Sequence, residues 1–167
     1  DAIAAFAEAQ IPVAILSGDD AARVTRIADE LGVEDAVHGA KPAEKIAFLQ
    51  SQHDQGHYAL MVGDGLNDTG ALAAAHVSMA PSSASDAGRL AADFVFLRDS
   101  LDAVPEAFAI ASETSKIVRQ NFALAVAYNC IAVPLAVAGF VTPLLAALAM
   151  SGSSIIVIAN ALRLNRT

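Results

Sequence analysis

Oxygen-bearing side chains are concentrated in the segment VGDGLNDTGAL, residues 62–72. Asp64 and Asp68 are four residues apart, and Asn67 lies between them. Hard cations such as Mg²⁺ prefer carboxylate oxygens and usually bind beside a substrate phosphate. The two carboxylates therefore predict a magnesium site. The alternative interpretation is a glycine-rich turn that only ends a strand.

A second polar segment, LSGDD, supplies groups that suit a phosphate. The Ser17 hydroxyl and the backbone N–H groups of Gly18 and Asp19 can hold phosphoryl oxygens. Lys45 can neutralise charge on the same phosphoryl group. An aspartyl-phosphate mechanism also needs a carboxylate nucleophile, and the sequence offers no convincing candidate for it. The competing interpretation makes Lys45 an ordinary surface residue.

Both polar segments follow short apolar runs in a pattern of alternating strands and helices. Strands are predicted at residues 11–18, 35–39, 58–65, 77–81 and 94–97, and helices at residues 20–33, 41–52 and 67–75. Asn67 or Asp68 is expected to cap the last of these helices. This alternation is typical of an α/β fold whose parallel sheet is covered on both faces. Ligands of such sheets bind beyond the carboxyl ends of the strands. We therefore expect the two segments and Lys45 to meet in one crevice.

Charge divides the sequence into two unlike parts. Residues 1–115 hold all 18 acidic residues and six basic ones, a net charge of −12, whereas residues 116–167 hold four basic residues and no acidic ones. The acidic part would repel phosphate backbones, so we do not expect a nucleic-acid partner. The single cysteine, Cys130, excludes a disulfide within the chain and is interpreted as a small buried packing residue.

No charged residue occurs from Gln120 to Leu162. Residues 121–140 and 144–162 each match the roughly 20 residues that cross a bilayer core. The flanking positions are basic, namely Lys116, Arg119, Arg163 and Arg166. By the positive-inside rule these positions, and with them the acidic part, are cytoplasmic. The sequence thus predicts a transmembrane hairpin; the alternative is an apolar hairpin inside a large soluble protein.

A few polar side chains interrupt the two spans, where such groups are costly and usually functional. Asn129 in the first span and Ser154 in the second lie equally far from a turn at residues 141–142, and Tyr128 precedes Asn129. Met150 and Ser154 share one helix face. A thioether beside neutral oxygens, without a carboxylate, favours a soft monovalent ion such as Cu(I). The competing interpretation is plain helix packing.

The order LSGDD, KPAEK, VGDGLNDTGAL and a paired apolar segment resembles the C-terminal third of P-type ATPases. These are ion pumps whose phosphorylation domain is haloacid dehalogenase-like. The resemblance covers nearly the whole chain. It implies that residues 1–100 are the C-terminal part of the cytoplasmic phosphorylation domain, residues 101–120 a connecting helix, and residues 121–167 two transmembrane helices with a short tail.

The resemblance also assigns roles to the polar residues. Ser17 takes the place of the usual threonine before Gly-Asp, Lys45 matches the hinge-domain lysine, and Asp64 matches the magnesium ligand. Asn67 and Asp68 match the pair that supports phosphate and metal. ATP would be the substrate, and Mg²⁺ the cofactor. The phosphorylated aspartate of the D-K-T-G-T string and the nucleotide-binding domain are expected upstream, so the chain alone is expected to be inactive.

One departure from the family pattern follows this motif. The family usually continues N-D-A-P-A-L, whereas Thr69 and Gly70 occupy the Ala-Pro positions here. Glycine in a first helical turn costs up to about 1 kcal/mol. We expect it to loosen the support under Asp68 without removing the metal site.

Tyr128-Asn129 and Met150…Ser153-Ser154 resemble the copper-exporting subgroup, whose cysteine pair lies in an earlier span. That resemblance implies Cu(I) as the transported ion, a possible copper chaperone and a plasma or inner membrane location. Residues 80–86 and 92–104 resemble copper pumps tied to cytochrome oxidase assembly. Two alternatives stay open: a membrane-anchored phosphatase of the same cytoplasmic fold, and a non-catalytic remnant.

Overall fold

The computed structural model describes residues 2–98 and 100–166, with their side chains except those of residues 165 and 166. The side chain of Arg166, one of the four predicted cytoplasmic cations, therefore lies outside the described residues. The chain divides into two compact units, Asp1–Pro105 and Glu106–Thr167. Each unit is described by itself below.

Strands and helices alternate throughout the first unit. In chain order they are α1 (Ala2–Glu8), β1 (Ala14–Leu16), α2 (Ala21–Leu31), β2 (Asp35–Val37), α3 (Pro42–Asp54), β3 (Leu60–Val62), α4 (Thr69–Ala74), β4 (Val77–Pro81), α5 (Asp86–Ala91) and β5 (Phe94–Phe96). Every strand and helix predicted for this unit is present. Helices α1 and α5 were not predicted.

All strand pairs in this unit are parallel, as predicted. Strand β1 pairs with β2, with Ile15 opposite Ala36. Strands β3, β4 and β5 form a second sheet in that order. Since the paired strands are parallel, their carboxyl ends lie at the same edge of their sheet.

Local signals explain where the helices begin and end. The Asp20 carboxylate accepts from Arg23 N at 3.1 Å and caps α2, which ends at Gly32 with φ +69°. Pro42 occupies the first turn of α3, where its missing N–H costs no hydrogen bond. The Glu44 carboxylate accepts from Lys41 N at 2.8 Å at the same end. These contacts fix the start of the helix that carries Lys45.

A small apolar core holds α3 and α4 against β3. Its buried members are Leu49 of α3, Met61 of β3, and Ala71 and Leu72 of α4. Leu72 is 1% exposed. Burial of such side chains contributes about 1.5–3 kcal/mol each. The core therefore sets the positions of the two helices next to the polar segments.

The second unit contains most of helix α6 (Ala103–Val137) and helix α7 (Pro143–Ala161), followed by a 3₁₀ helix at Leu162–Arg166. Helix α6 is continuous from the predicted connecting helix into the first predicted span and passes through Pro134. Gly139, with φ +79°, lies in the reversal, where glycine is favoured. Both Ala103–Val137 and Pro143–Leu164 are long and apolar enough to cross a membrane.

Candidate functional site

The loop after β1 is tied to the segment that leads into α3. Ser17 O accepts from Ala40 N at 2.9 Å, and Asp19 O accepts from Gly39 N at 2.8 Å. Within the loop, Asp19 N donates to Ser17 Oγ at 3.2 Å. A phosphoryl oxygen bound as predicted would replace Ser17 Oγ as the acceptor of the Asp19 N–H.

Lys45 is the buried cation of this unit. It is 7% exposed, and its Nζ lies 2.6 Å from Asp68 Oδ1. The two side chains are 8% and 15% exposed. A short contact between opposite charges that are largely shielded from water is strong, and it holds both groups in one geometry. The structure thus brings together two of the predicted site residues that are 23 positions apart in the sequence.

Hydrogen bonds fix the backbone around Asp64, whereas the Asp64 side chain is exposed. Asp64 O accepts from Ser85 N at 3.1 Å. Gly65 O accepts from Thr69 Oγ1 at 2.6 Å and from Asp68 N at 3.3 Å. In the described part of the chain, no hydrogen bond reaches the Asp64 carboxylate. An exposed carboxylate on a fixed backbone is suited to bind a cation.

The predicted cap of helix α4 is wrong in one respect. Asp68 occupies the N-cap position, but its side chain makes no capping hydrogen bond. The carboxylate binds Lys45 instead, because a charged donor at 2.6 Å outweighs a neutral backbone N–H. Asn67, the other predicted cap, is exposed and makes no hydrogen bond among the residues described.

Thr69 and Gly70, which depart from the family pattern, both contact the site. The Thr69 hydroxyl binds Gly65 O, as described above. A Cβ added to Gly70 would lie 3.0 Å from Ile46 Cδ1, next to Lys45 in α3. The glycine therefore allows α4 to approach α3 closely at the position of the Lys45–Asp68 pair.

The residues present fit a magnesium ion that completes its coordination elsewhere. Asp64 offers a free carboxylate, and Asp68 keeps one oxygen beyond the one that binds Lys45. Among the described residues, no group of three or more His, Cys, Asp or Glu side chains is arranged to hold a metal ion. Mg²⁺ usually binds through one or two carboxylates and takes its remaining ligands from water and phosphate. The carboxylates of Asp64 and Asp68 fit this mode of coordination.

Ser85, the N-cap of α5, and Gly88 within α5 lie near the site and were missed by the sequence interpretation. Ser85 donates its N–H to Asp64 O, and a Cβ on Gly88 would lie 2.7 Å from Gly65 Cα. The only signal in the sequence was a serine directly before Asp86 that fits a helix N-cap. The Ser85 hydroxyl indeed accepts from Gly88 N at 3.1 Å.

The predicted Cu(I) donors make hydrogen bonds within their own helices. Asn129 Nδ2 donates to Ala125 O at 2.9 Å, and Ser154 Oγ donates to Met150 O at 3.0 Å. Met150 is 62% exposed. Over the described ranges, no hydrogen bond joins Tyr128 or Asn129 to Met150 or Ser154. That these side chains of the two helices bind one ion together is therefore a proposal.

The prediction that Cys130 is buried is wrong, since it is exposed. Its helix presents apolar side chains such as Phe122 and Ile131, which are also exposed. The error follows from applying a rule for soluble cores to a helix whose apolar side chains are themselves exposed.

A polar contact between α6 and α7 was also missed. Asn160 Nδ2 donates to Asn121 Oδ1 at 2.9 Å and to Gln120 Oε1 at 3.3 Å. Arg163 Nη1 donates to Asn160 Oδ1 at 3.1 Å. Asn160 thereby links the two helices near their predicted cytoplasmic ends.

The chain is similar in sequence to a hydrolase family and to several known proteins. A family model for haloacid dehalogenase-like hydrolases matches residues 1–76. The nitrogen fixation protein FixI of Rhizobium leguminosarum bv. viciae is 54% identical over 99% of this chain and 22% of the relative. A copper-exporting P-type ATPase of Mycobacterium tuberculosis is 38% identical over 99% of this chain and 22% of the relative. The chain thus spans about a fifth of the length of these curated relatives.

A solved structure matches nearly the whole chain. The crystal structure of a zinc-transporting PIB-type ATPase in the E2·Pi state matches with a TM-score of 0.91 and 31% identity, covering 98% of this chain and 27% of the other. Together with the family model, this match confirms the predicted fold class: a haloacid dehalogenase-like portion with parallel sheets, followed by two apolar helices.

Proposed function

The chain is a homologue of P-type ATPases along nearly its whole length, and we propose that it forms one part of an ATP-driven pump that moves Cu(I) across a membrane. Its relatedness to ATPases named as copper-exporting, cation-transporting and zinc-transporting supports an ATP-driven cation pump. The choice of Cu(I) and the course of the phosphoryl transfer are our proposals.

The observation that carries the phosphoryl chemistry is the contact between Lys45 Nζ and Asp68 Oδ1 at 2.6 Å. Asp68 comes four positions after Asp64, whose side chain is exposed. We assign the transferred phosphoryl group to the crevice predicted at these residues. Lys45 would neutralise its charge, and Asp64 would hold Mg²⁺, which shields the phosphate when bound. The carboxylate that takes the phosphoryl group from ATP would come from another part of the protein.

The loop after β1 would hold phosphoryl oxygens. The Ser17 hydroxyl and the N–H groups of Gly18 and Asp19 are donors that suit an anion. Asn67 would support the same group from the next loop. Since the β1 loop is bonded to the segment before α3, a phosphate held there would lie near the helix that carries Lys45.

The polar content of the two spans supports Cu(I) rather than a divalent ion. From Gln120 to Leu162 there is no carboxylate that could bind Zn²⁺, nor any other charged side chain. Tyr128, Asn129, Met150 and Ser154 are neutral donors, and a thioether favours a soft ion. The zinc-transporting structure shares the fold with this chain at 31% identity, so it does not decide the ion.

The proposed setting is a plasma or inner membrane, with the acidic unit in the cytoplasm. Lys116, Arg119 and Arg163 flank the apolar helices, and the positive-inside rule places them on the cytoplasmic side. The partners would be the bilayer, the remaining domains of the ATPase, and a chaperone that delivers copper.

The proposal is tested with the whole protein that contains this chain, reconstituted in vesicles. Met150→Ala should abolish stimulation of ATP hydrolysis by Cu(I) but keep Mg²⁺-dependent phosphorylation by inorganic phosphate, because the metal donors and the crevice are separate. Leu148→Ala is the matched control on the same exposed helix and should retain stimulation. Stimulation by Zn²⁺ instead of Cu(I), or unchanged copper stimulation in Met150→Ala, would refute the choice of ion.

A second candidate is a membrane-anchored phosphatase, which the hydrolase family model over residues 1–76 favours. Such an enzyme would hydrolyse phosphate esters at a rate that no transition metal changes. The same vesicles decide between the two, since a phosphatase would show no coupling between metal uptake and ATP hydrolysis.

A further inference from the structure

Helix α5 touches the loop of Asp64 backbone to backbone. A Cβ on Gly88 would lie 2.7 Å from Gly65 Cα, closer than side chains approach in real proteins. A Cβ on Gly65 would in turn overlap Ser85 Oγ. Gly65 has φ +123°, a conformation that favours glycine. Glycine is thus required on both sides of this contact.

Hydrogen bonds hold the same contact in register. Ser85 N donates to Asp64 O at 3.1 Å, and Ser85 Oγ accepts from Gly88 N at 3.1 Å. Gly65 and Gly88 are buried, whereas Asp64 is exposed. The peptide group that follows Asp64 is therefore fixed by α5, and its carboxylate stays open to solvent.

We propose that Ser85 and Gly88 are positioning residues for Asp64, which fix the direction of its carboxylate toward Mg²⁺. The proposal rests on the proposed function, because it requires Asp64 to hold the metal. Groups that orient a metal ligand typically change metal affinity by about 10–100-fold when they are altered. Here the orienting group is a backbone N–H together with a glycine–glycine contact.

Three variants of the whole protein separate the parts of this contact. Gly88→Ala inserts a methyl group between α5 and Gly65. Ser85→Pro removes the N–H that binds Asp64 O, and the φ of −58° at Ser85 is compatible with proline. Ser85→Ala removes the hydroxyl but keeps that N–H. Leu90→Ala, at an 88% exposed position of the same helix, is the matched control.

The measurement is the Mg²⁺ concentration that gives half-maximal phosphorylation from ATP, together with the thermal midpoint of each variant. Gly88→Ala and Ser85→Pro should raise that concentration by about 10-fold or more, with most of the maximal level regained at saturating Mg²⁺. Ser85→Ala should give a smaller rise, and Leu90→Ala none. A lowered thermal midpoint with an unchanged Mg²⁺ requirement would overturn the proposal.

The variant Asp64→Ala distinguishes failure of this positioning proposal from failure of the proposed function. If Asp64→Ala keeps a normal Mg²⁺ requirement, the magnesium role of Asp64 is wrong. If Asp64→Ala abolishes phosphorylation while Gly88→Ala behaves like Leu90→Ala, only the positioning role is wrong. Should Gly88→Ala fail to fold, the difference between Ser85→Pro and Ser85→Ala decides alone.

Discussion

Lys45 Nζ lies 2.6 Å from Asp68 Oδ1, which joins the first half of α3 to the residue that precedes α4. Both side chains are largely buried, at 8% and 15% exposure. Neither charge can therefore rely on water if the other is removed. The pair fixes a cation at the residue that precedes α4, four positions after Asp64, in the segment where the proposed function needs positive charge.

Removing one member of this pair should destabilise the protein more than removing both. Lys45→Met leaves the Asp68 carboxylate without its cation and should cost about 3 kcal/mol of unfolding free energy. The double variant Lys45→Met/Asp68→Leu should regain a substantial part of that loss. Urea unfolding of the first unit in the whole protein measures both changes in unfolding free energy. Equal stability of the single and double variants would show that the pair contributes no more than a surface contact.

Periodicity and glycine or proline signals were enough to predict most of the first unit. Pro42 and Gly32 lie where they mark the ends of α3 and α2, and the apolar runs became parallel strands. The meeting of Lys45 with the segment after β3 followed from the rule that strand ends share an edge. That Asp68 would bind Lys45 rather than cap α4 did not follow, because the pairing depends on how two helices pack.

Gly70→Ala should leave the free energy of unfolding nearly unchanged unless Ile46 is replaced by a shorter side chain. Alanine gains up to about 1 kcal/mol over glycine in a helix, but its Cβ would press on Ile46 Cδ1 at 3.0 Å. In an Ile46→Val background that atom is gone, and Gly70→Ala should stabilise by about 0.5–1 kcal/mol. Urea unfolding in the two backgrounds gives the comparison. The same effect in both would mean that Ile46 moves aside freely.

Ser78 and Asp93 tie the start of β4 to the residue before β5. Ser78 is 1% exposed; its N and Oγ donate to Asp93 Oδ2 at 2.8 and 3.0 Å. Ser78→Ala removes the hydroxyl from this buried network and should cost about 1–3 kcal/mol of unfolding free energy. Ser83→Ala, at an exposed serine after the same strand, should stay within about 0.5 kcal/mol. Similar losses in both variants would contradict the role of the network.

Helix α5 and the hydrogen bonds of Asn160 could not be predicted from the sequence, for physical reasons. The segment DAGRLA has no apolar period, and its buried residue is Gly88, which contributes contact without hydrophobic signal. Asn160 meets Asn121 across 39 positions of sequence. A polar residue in a span is recognisable as costly, but the helix it faces depends on the rotation of both helices. These features need coordinates, whereas the alternation of strands with helices and the composition of the Asp64 segment do not.

Asn160 should stabilise the association of α6 with α7 through its bond to Asn121. Asn160→Leu and Asn121→Leu each remove one side of a 2.9 Å hydrogen bond, and their coupling in a double-mutant cycle should be about 0.6 kcal/mol, the usual size inside membranes. Unfolding of the whole protein by sodium dodecyl sulfate in mixed micelles measures this coupling. Ser151→Ala, at an exposed position of α7, is the control and should show no coupling to Asn121→Leu. Since Arg163 also donates to Asn160 Oδ1, Arg163→Gln should weaken the same link. Strictly additive losses for Asn160 and Asn121 would mean that the two helices are held by the surrounding spans alone.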